Sequence, residues 1–144
     1  MDAKIFEIAL TPYPRKLYIV CGGTAKDIND NYIGMDNKPV DFTKESKYGF
    51  DAITMRGKNK ETFELGYLIW IPKRVDISIV CHESYHVVEY MMSDVGIETD
   101  VDHQEAFAYM MGFVAKTVWE TMKFAFQKKS NFITIPSSDN IEKS

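Results

Sequence analysis

Val80-Cys81-His82-Glu83-Ser84-Tyr85-His86-Val87-Val88 decides how this chain reads. It is an apolar-flanked His-Glu-x-x-His. On a helix, residues four apart share one face, so His82 and His86 can hold a single ion between them. Glu83 lies beside them, placed to take a proton from a water that the ion activates rather than to ligate. Two of the chain's 3 histidines fall in this motif. A chance match in a chain of this composition has odds of roughly one in two hundred. The plain alternative is two half-buried histidines on an ordinary core helix.

Upstream, two β-rich runs, 50–55 and 62–71, are separated by Gly57-Lys58-Asn59-Lys60 and read as an antiparallel hairpin. Pro72-Lys73-Arg74 closes the second run, and Asp76 or Ser78 offers a helix N-cap. The motif helix then extends to about Asp94, with Gly96 as its stop. Ile77, Ile79, Val80, Val87, Val88, Met91 and Met92 make it apolar almost all round, which predicts burial between a sheet and another helix. Buried histidines beside a carboxylate call for a partner, and a metal supplies one.

A second long helix is expected from near Asp102 to about Lys128. Its first turn gives Glu105 two readings. As structure, Asp102 is the N-cap and Glu105 closes a variant capping box. As chemistry, Glu105 follows His86 by nineteen residues, a spacing that lets an antiparallel helix return its carboxylate to the metal as third ligand. The ligand reading is preferred. His103 is an alternative ligand or proton donor, and an exposed first-turn residue otherwise. Cys81 points about 100° away from His82 on the helix and reads as packing. Phe107, Met110, Met111, Phe113, Val114, Val118, Trp119, Met122, Phe124 and Phe126 offer more apolar surface than one side of a small domain covers. A homo-oligomer or partner-protein interface on this helix is therefore expected. Gly112 in its middle suggests close approach of another backbone.

His82-Glu83-Ser84-Tyr85-His86, the glycine turn at Gly96 and Glu105-Ala106-Phe107-Ala108-Tyr109 together resemble the zincin metallopeptidases of the gluzincin type. More narrowly, they resemble the small zincin-like proteins encoded by phages and prophages. The resemblance spans about residues 66–119. It implies an α+β zincin-like fold, with a small, mainly antiparallel sheet packed on a central metal-motif helix and a second long helix. It also implies zinc held by His82, His86 and Glu105, with Glu83 as general base. Many gluzincins carry an aspartate four residues after the ligand glutamate; this chain has Tyr109 there, expected either to stabilise an oxyanion or simply to pack. The activity implied is zinc-dependent hydrolysis of a peptide or protein substrate, with strand 67–71 aligning it by edge pairing. The alternatives are a phage virion or assembly protein that keeps the fold with or without metal, and a regulatory protease with one host or phage target. The compartment expected is the cytoplasm, host cytoplasm or virion if phage-encoded.

Composition sets the remaining bounds. A chain of 144 residues, 45% hydrophobic and 13% aromatic, is expected to form one globular domain over 1–136 with a disordered tail over 137–144. A net charge of −4 gives no general attraction for nucleic acid or anionic membranes. No run suits a signal peptide or a spanning helix. Cys21 and Cys81 suit a reduced compartment. Strands are expected over 4–10 and 16–21, divided by Pro12-Tyr13-Pro14, and Gly22-Gly23 reads as a turn without a following helix. Residues 24–49 read as a long polar loop with at most a short helix. Within it, Asp27, Asn29 and Asn31 imitate the start of a calcium loop, but Tyr32 and Lys38 stand where its glycine and closing glutamate belong. A short apolar run near 132–136 suggests an edge strand.

Overall fold

The computed structural model describes residues 1–127 of the chain. Its architecture is α+β, a five-stranded mixed sheet with helices on both faces. The strands are β1 (Lys4–Ala9), β2 (Lys16–Cys21), β3 (Tyr32–Ile33), β4 (Ile53–Asn59) and β5 (Leu65–Ile71), in the spatial order β1-β2-β5-β4-β3. Three pairings are antiparallel, and the central β2–β5 pair is parallel.

The parallel pair explains why Leu17-Tyr18-Ile19-Val20 and Tyr67-Leu68-Ile69-Trp70 are unbroken apolar runs rather than alternating ones. Strands buried on both faces need apolar residues at every position. Leu17, Ile19, Cys21, Tyr67, Ile69 and Ile71 face the helices α3 (Ile77–Asp94) and α4 (Glu105–Ala125). Tyr18, Val20, Leu68 and Trp70 face the other way, onto Ile28 of α1 (Ala25–Asn31) and onto Phe42 just before α2 (Thr43–Tyr48). Cys21 is fully buried, and burial pushes its thiol pKa up to about 12, whereas Cys81 is exposed.

The region 24–49 is more structured than a polar loop. Gly22 and Gly23 take positive φ (79° and 78°) and lead directly into α1, which Thr24 and Asp27 cap reciprocally in a capping box. The calcium-like triplet has a local explanation in the same segment. Asp27 belongs to the cap, the Asn29 side chain bonds Val40 N and O at 2.7 and 2.9 Å, and Asn31 Nδ2 donates to Asp27 O at 2.8 Å. Polar side chains in short helices satisfied by backbone groups look, in sequence, like loop residues.

The β4–β5 hairpin forms, but its turn comes later than expected. β4 runs on through Gly57, Lys58 and Asn59, with Gly57 opposite Gly66 and Lys58 opposite Leu65. β5 is interior, hydrogen-bonded to both β2 and β4, so residues 67–71 have no edge for a peptide to join. The sheet ends in β1 on one side, and on the other an open edge lies on β4. β3 pairs only with Asn59 and Lys58, leaving the outer side of Ile53–Gly57 without a strand among the described residues.

α3 begins where expected. Asp76 Oδ1 accepts from Ser78 N at 2.9 Å and Ile79 N at 3.3 Å, and Gly96 takes φ 78° just beyond the helix. It is not buried all round: Cys81, His82, Tyr85 and Glu89 are exposed, while Val80, Glu83, Ser84, Val87, Val88, Met91 and Met92 face the core. α4 starts at Glu105, three residues later than Asp102, and its N-cap Gln104 makes no side-chain cap bond. It ends at Ala125, short of Lys128. Met110, Val114, Val118, Met122 and Ala125 form its buried stripe. Tyr109, Phe113 and Phe124 are 74%, 39% and 60% exposed, so α4 does carry uncovered aromatic surface. A Cβ built on Gly112 meets nothing within 4 Å, so no backbone approaches it closely among the described residues. Among those residues no helix is long and apolar enough to cross a membrane. The strand expected near 132–136 and the tail over 137–144 lie outside the described residues.

Two glycines should behave oppositely. Gly112→Ala fills open space on an exposed helix face and is expected to raise unfolding free energy by about 0.5–1 kcal/mol in urea titration. At Gly66 an added Cβ collides with the Lys16 carbonyl across the central strand pair, so Gly66→Ala should cost about 3 kcal/mol.

Candidate metal centre

The histidine pair sits on the outer face of α3. Helical spacing stacks the two side chains one turn apart, with Nε2 of His82 3.1 Å from Nε2 of His86 and ring centroids 4.7 Å apart at 80°. Two nitrogens bound tetrahedrally to one zinc at 2.0–2.1 Å lie about 3.3 Å from each other. The observed separation is near the one that shared ligation needs, and it is equally that of a hydrogen bond between the two ring nitrogens. The His82 side chain is 65% exposed and His86 is half-buried. Burial of the imidazoles thus gives no argument for a metal; their convergence does.

Glu83 is the buried member. Its side chain is 10% exposed and turns to the sheet, where Oε1 accepts a 2.8 Å hydrogen bond from Thr54 Oγ1. Oε2 stays 3.8 Å from His82 Nε2. Thr54 is available because β4 alternates: Ile53 and Met55 pack on the far face, so Thr54 and Arg56 project toward α3. The carboxylate is thereby fixed by a donor while one oxygen remains beside the histidines.

Glu105 is exposed at the start of α4 and makes no hydrogen bond or ion pair among the described residues. Because α4 begins at Glu105 itself, it does not close a capping box with Asp102. The structure brings together His82, Glu83 and His86. It does not gather Glu105 with them, and no group of three or more His, Cys, Asp or Glu suited to a metal is present among the described residues. Tyr109 is exposed one turn further along α4. His103 Nδ1 pairs instead with Asp100 Oδ1 at 2.8 Å in the loop before α4.

Beyond His86 the same face of α3 carries a network that the sequence reading did not single out. The Tyr90 ring stacks 6.4 Å from His86, at 29°, and the Arg56 guanidinium lies 4.4 Å above Tyr90. Arg56 pairs in bidentate fashion with Asp94, at 3.1 and 3.0 Å, and Tyr67 donates to Asp94 Oδ2 at 2.7 Å. Burial works against the Asp94 charge, but hydrogen bonds from Arg56 and Tyr67 and the attraction of Arg56 and Arg15 outweigh it and hold its pKa below the usual carboxylate value. Burial, then the bond to Asp94, pushes the Tyr67 phenol well up. The alternation of Thr54 and Arg56 with Ile53 and Met55 at the start of β4 was the available signal.

Comparison of the chain with protein-family models, with curated proteins and with solved structures gave no match.

The Asp94 pKa is lower folded than unfolded, so its contribution to stability is complete above about pH 4 and is lost as pH falls through the depressed folded value. Asp94→Asn should therefore cost about 2 kcal/mol at pH 7. The gap from wild type should shrink progressively in denaturant titrations carried down to pH 2.

Proposed function

We propose that the chain is a zincin-like, zinc-dependent hydrolase of peptide bonds. The observation that carries the reading is the convergence of His82 and His86 at 3.1 Å beside a buried, hydrogen-bonded Glu83. His82 and His86 would hold the ion, and Glu105, exposed at the start of α4 and not gathered with them in this structure, is the third ligand that the antiparallel helix spacing suggests. When bound, zinc supplies Lewis acidity toward a carbonyl oxygen and toward water.

The protein's own groups divide the remaining work. Glu83 Oε2 accepts the proton of the attacking water and passes it to the leaving amine, while the Thr54 bond to Oε1 keeps the carboxylate oriented. An extended substrate would add to the open outer edge of β4 at Ile53–Gly57, replacing the edge expected on 67–71. Tyr109 would enter only as an oxyanion donor from α4.

A second reading is supported by a different observation. The aromatic surface of Tyr109, Phe113 and Phe124 on α4 suits an interaction or assembly protein of the same fold, of which a phage virion component would be one case.

The discriminating assay is cleavage of a mixed peptide library by the zinc-loaded chain, followed by mass spectrometry. Hydrolysis is expected from wild type, with Glu83→Gln slower by a factor on the order of 100 to 10,000. Thr54→Val should fall between them, with the same cleavage sites. Equal activity in wild type and Glu83→Gln, or no cleavage by the zinc-loaded wild type, would reject the hydrolase reading.

A further inference from the structure

At the C-terminal end of α3 lies a cleft of about 190 Å³, lined by Arg15, Met35, Arg56, Gly66, Tyr67 and Asp94. Its charges do not balance. Asp94 is matched by the bidentate bonds from Arg56, while the Arg15 guanidinium donates from Nη1 to the Pro14 carbonyl at 3.1 Å and also reaches the Tyr67 phenol, with no carboxylate of its own in the cleft. One positive charge is therefore in excess. Donors are in excess too, because Arg56 engages Asp94 through Nε and Nη2 and leaves Nη1 unused. Arg15 is close enough to act on both Asp94 and Tyr67. Arg56 is held rigidly between the Asp94 carboxylate and the face of Tyr90, so its spare N–H groups are already oriented.

The cleft is placed along the line of the histidine pair. Asp94 is two helical turns beyond His86, about 12 Å along α3. On β4, Arg56 is two residues past Thr54, about 7 Å along the open edge. A peptide extended beside β4 at about 3.3 Å per residue would draw level with Arg56 within three or four residues of the bond held at the histidines, with Arg15 farther in, across β5 at the head of β2.

We infer that the Arg15–Arg56 cleft is a carboxylate-binding subsite, which selects peptides bearing an acidic side chain or a free C-terminal carboxylate a few residues from the point of cleavage. The inference rests on the peptide-hydrolase reading for its location, but the cleft's own chemistry is that of an anion site. Guanidinium groups match a carboxylate with paired N–H donors, and the excess charge favours an anion over a neutral amide.

The test uses the full chain carrying Glu83→Gln, so that peptides are not consumed, and calorimetric titration at constant ionic strength. The probes are blocked Gly-Ser-Ala hexapeptides in which one Glu moves through the six positions, their Gln counterparts, and the neutral sequence with a free C-terminus. At least one acidic peptide should bind ten or more times more tightly than its Gln counterpart. That preference should fall to within twofold when Arg15→Gln is added and return in part with Arg15→Lys. A moved Glu and a free C-terminus identify the two sources of the carboxylate separately. Equal binding of acidic and neutral peptides, no binding of any peptide, or a preference that survives Arg15→Gln would overturn the inference. Cleavage by the zinc-loaded wild type without acidic preference would also overturn it while leaving the hydrolase reading intact. Arg15-dependent binding without any cleavage would uphold the subsite and reject hydrolysis.

Discussion

The hydrogen bond from Thr54 to Glu83 is the contact on which the arrangement of the site depends. Glu83 is a carboxylate turned inward from α3 to the sheet, and such a group is costly to bury without a donor. Thr54 supplies that donor only because β4 presents it on the α3 face. The bond fits the rotation that the buried stripe of Val80, Val87, Val88, Met91 and Met92 gives α3: with Glu83 directed to the sheet, His82 and His86 lie on the outer face, 3.1 Å apart. Farther along, Arg56 and Asp94 repeat the connection between the same strand and helix, so α3 is tied to β4 at two points.

The sheet makes this possible by being apolar where it must be. β2 and β5 are buried on both faces and lie parallel, and they give α3 and α4 an apolar floor. β4 is nearer the sheet's margin, with β3 covering only its far end, and it carries Thr54 and Arg56 toward α3, as β1 carries Lys4 to the end of α4. Polar function is thus concentrated where apolar packing ends.

Much of this was legible in the sequence, and the reasons differ by element. The α3 boundaries followed from Asp76, the motif and Gly96, because caps are local chemistry. The strands 4–9 and 16–21 and the 53–71 hairpin followed from β-rich runs between breakers. The parallel β2–β5 pairing was not legible, since pairing partners distant in the chain leave no local mark. For the same reason β5 was taken for an edge. Helices α1 and α2 were hidden by polar side chains that serve caps and neighbouring backbone groups. Within the site, the histidines and Glu83 could be read from spacing alone. Thr54, Tyr90 and Arg56 act across the strand–helix interface, so their roles follow from register rather than from spacing. Gly112 was misread because a helical glycine carries no sign of which face it occupies.

The central proposal is that His82 and His86 would be two ligands of one zinc, with Glu105 as the third. Native mass spectrometry of the purified chain, supplied with zinc and then desalted, tests it most directly. The account predicts one zinc per chain in wild type and in Glu83→Gln, and loss of that zinc in His82→Ala, His86→Ala and Glu105→Ala with the fold retained. A folded wild-type chain that keeps no zinc, or His82→Ala, His86→Ala or Glu105→Ala variants that keep it fully, would contradict that proposal.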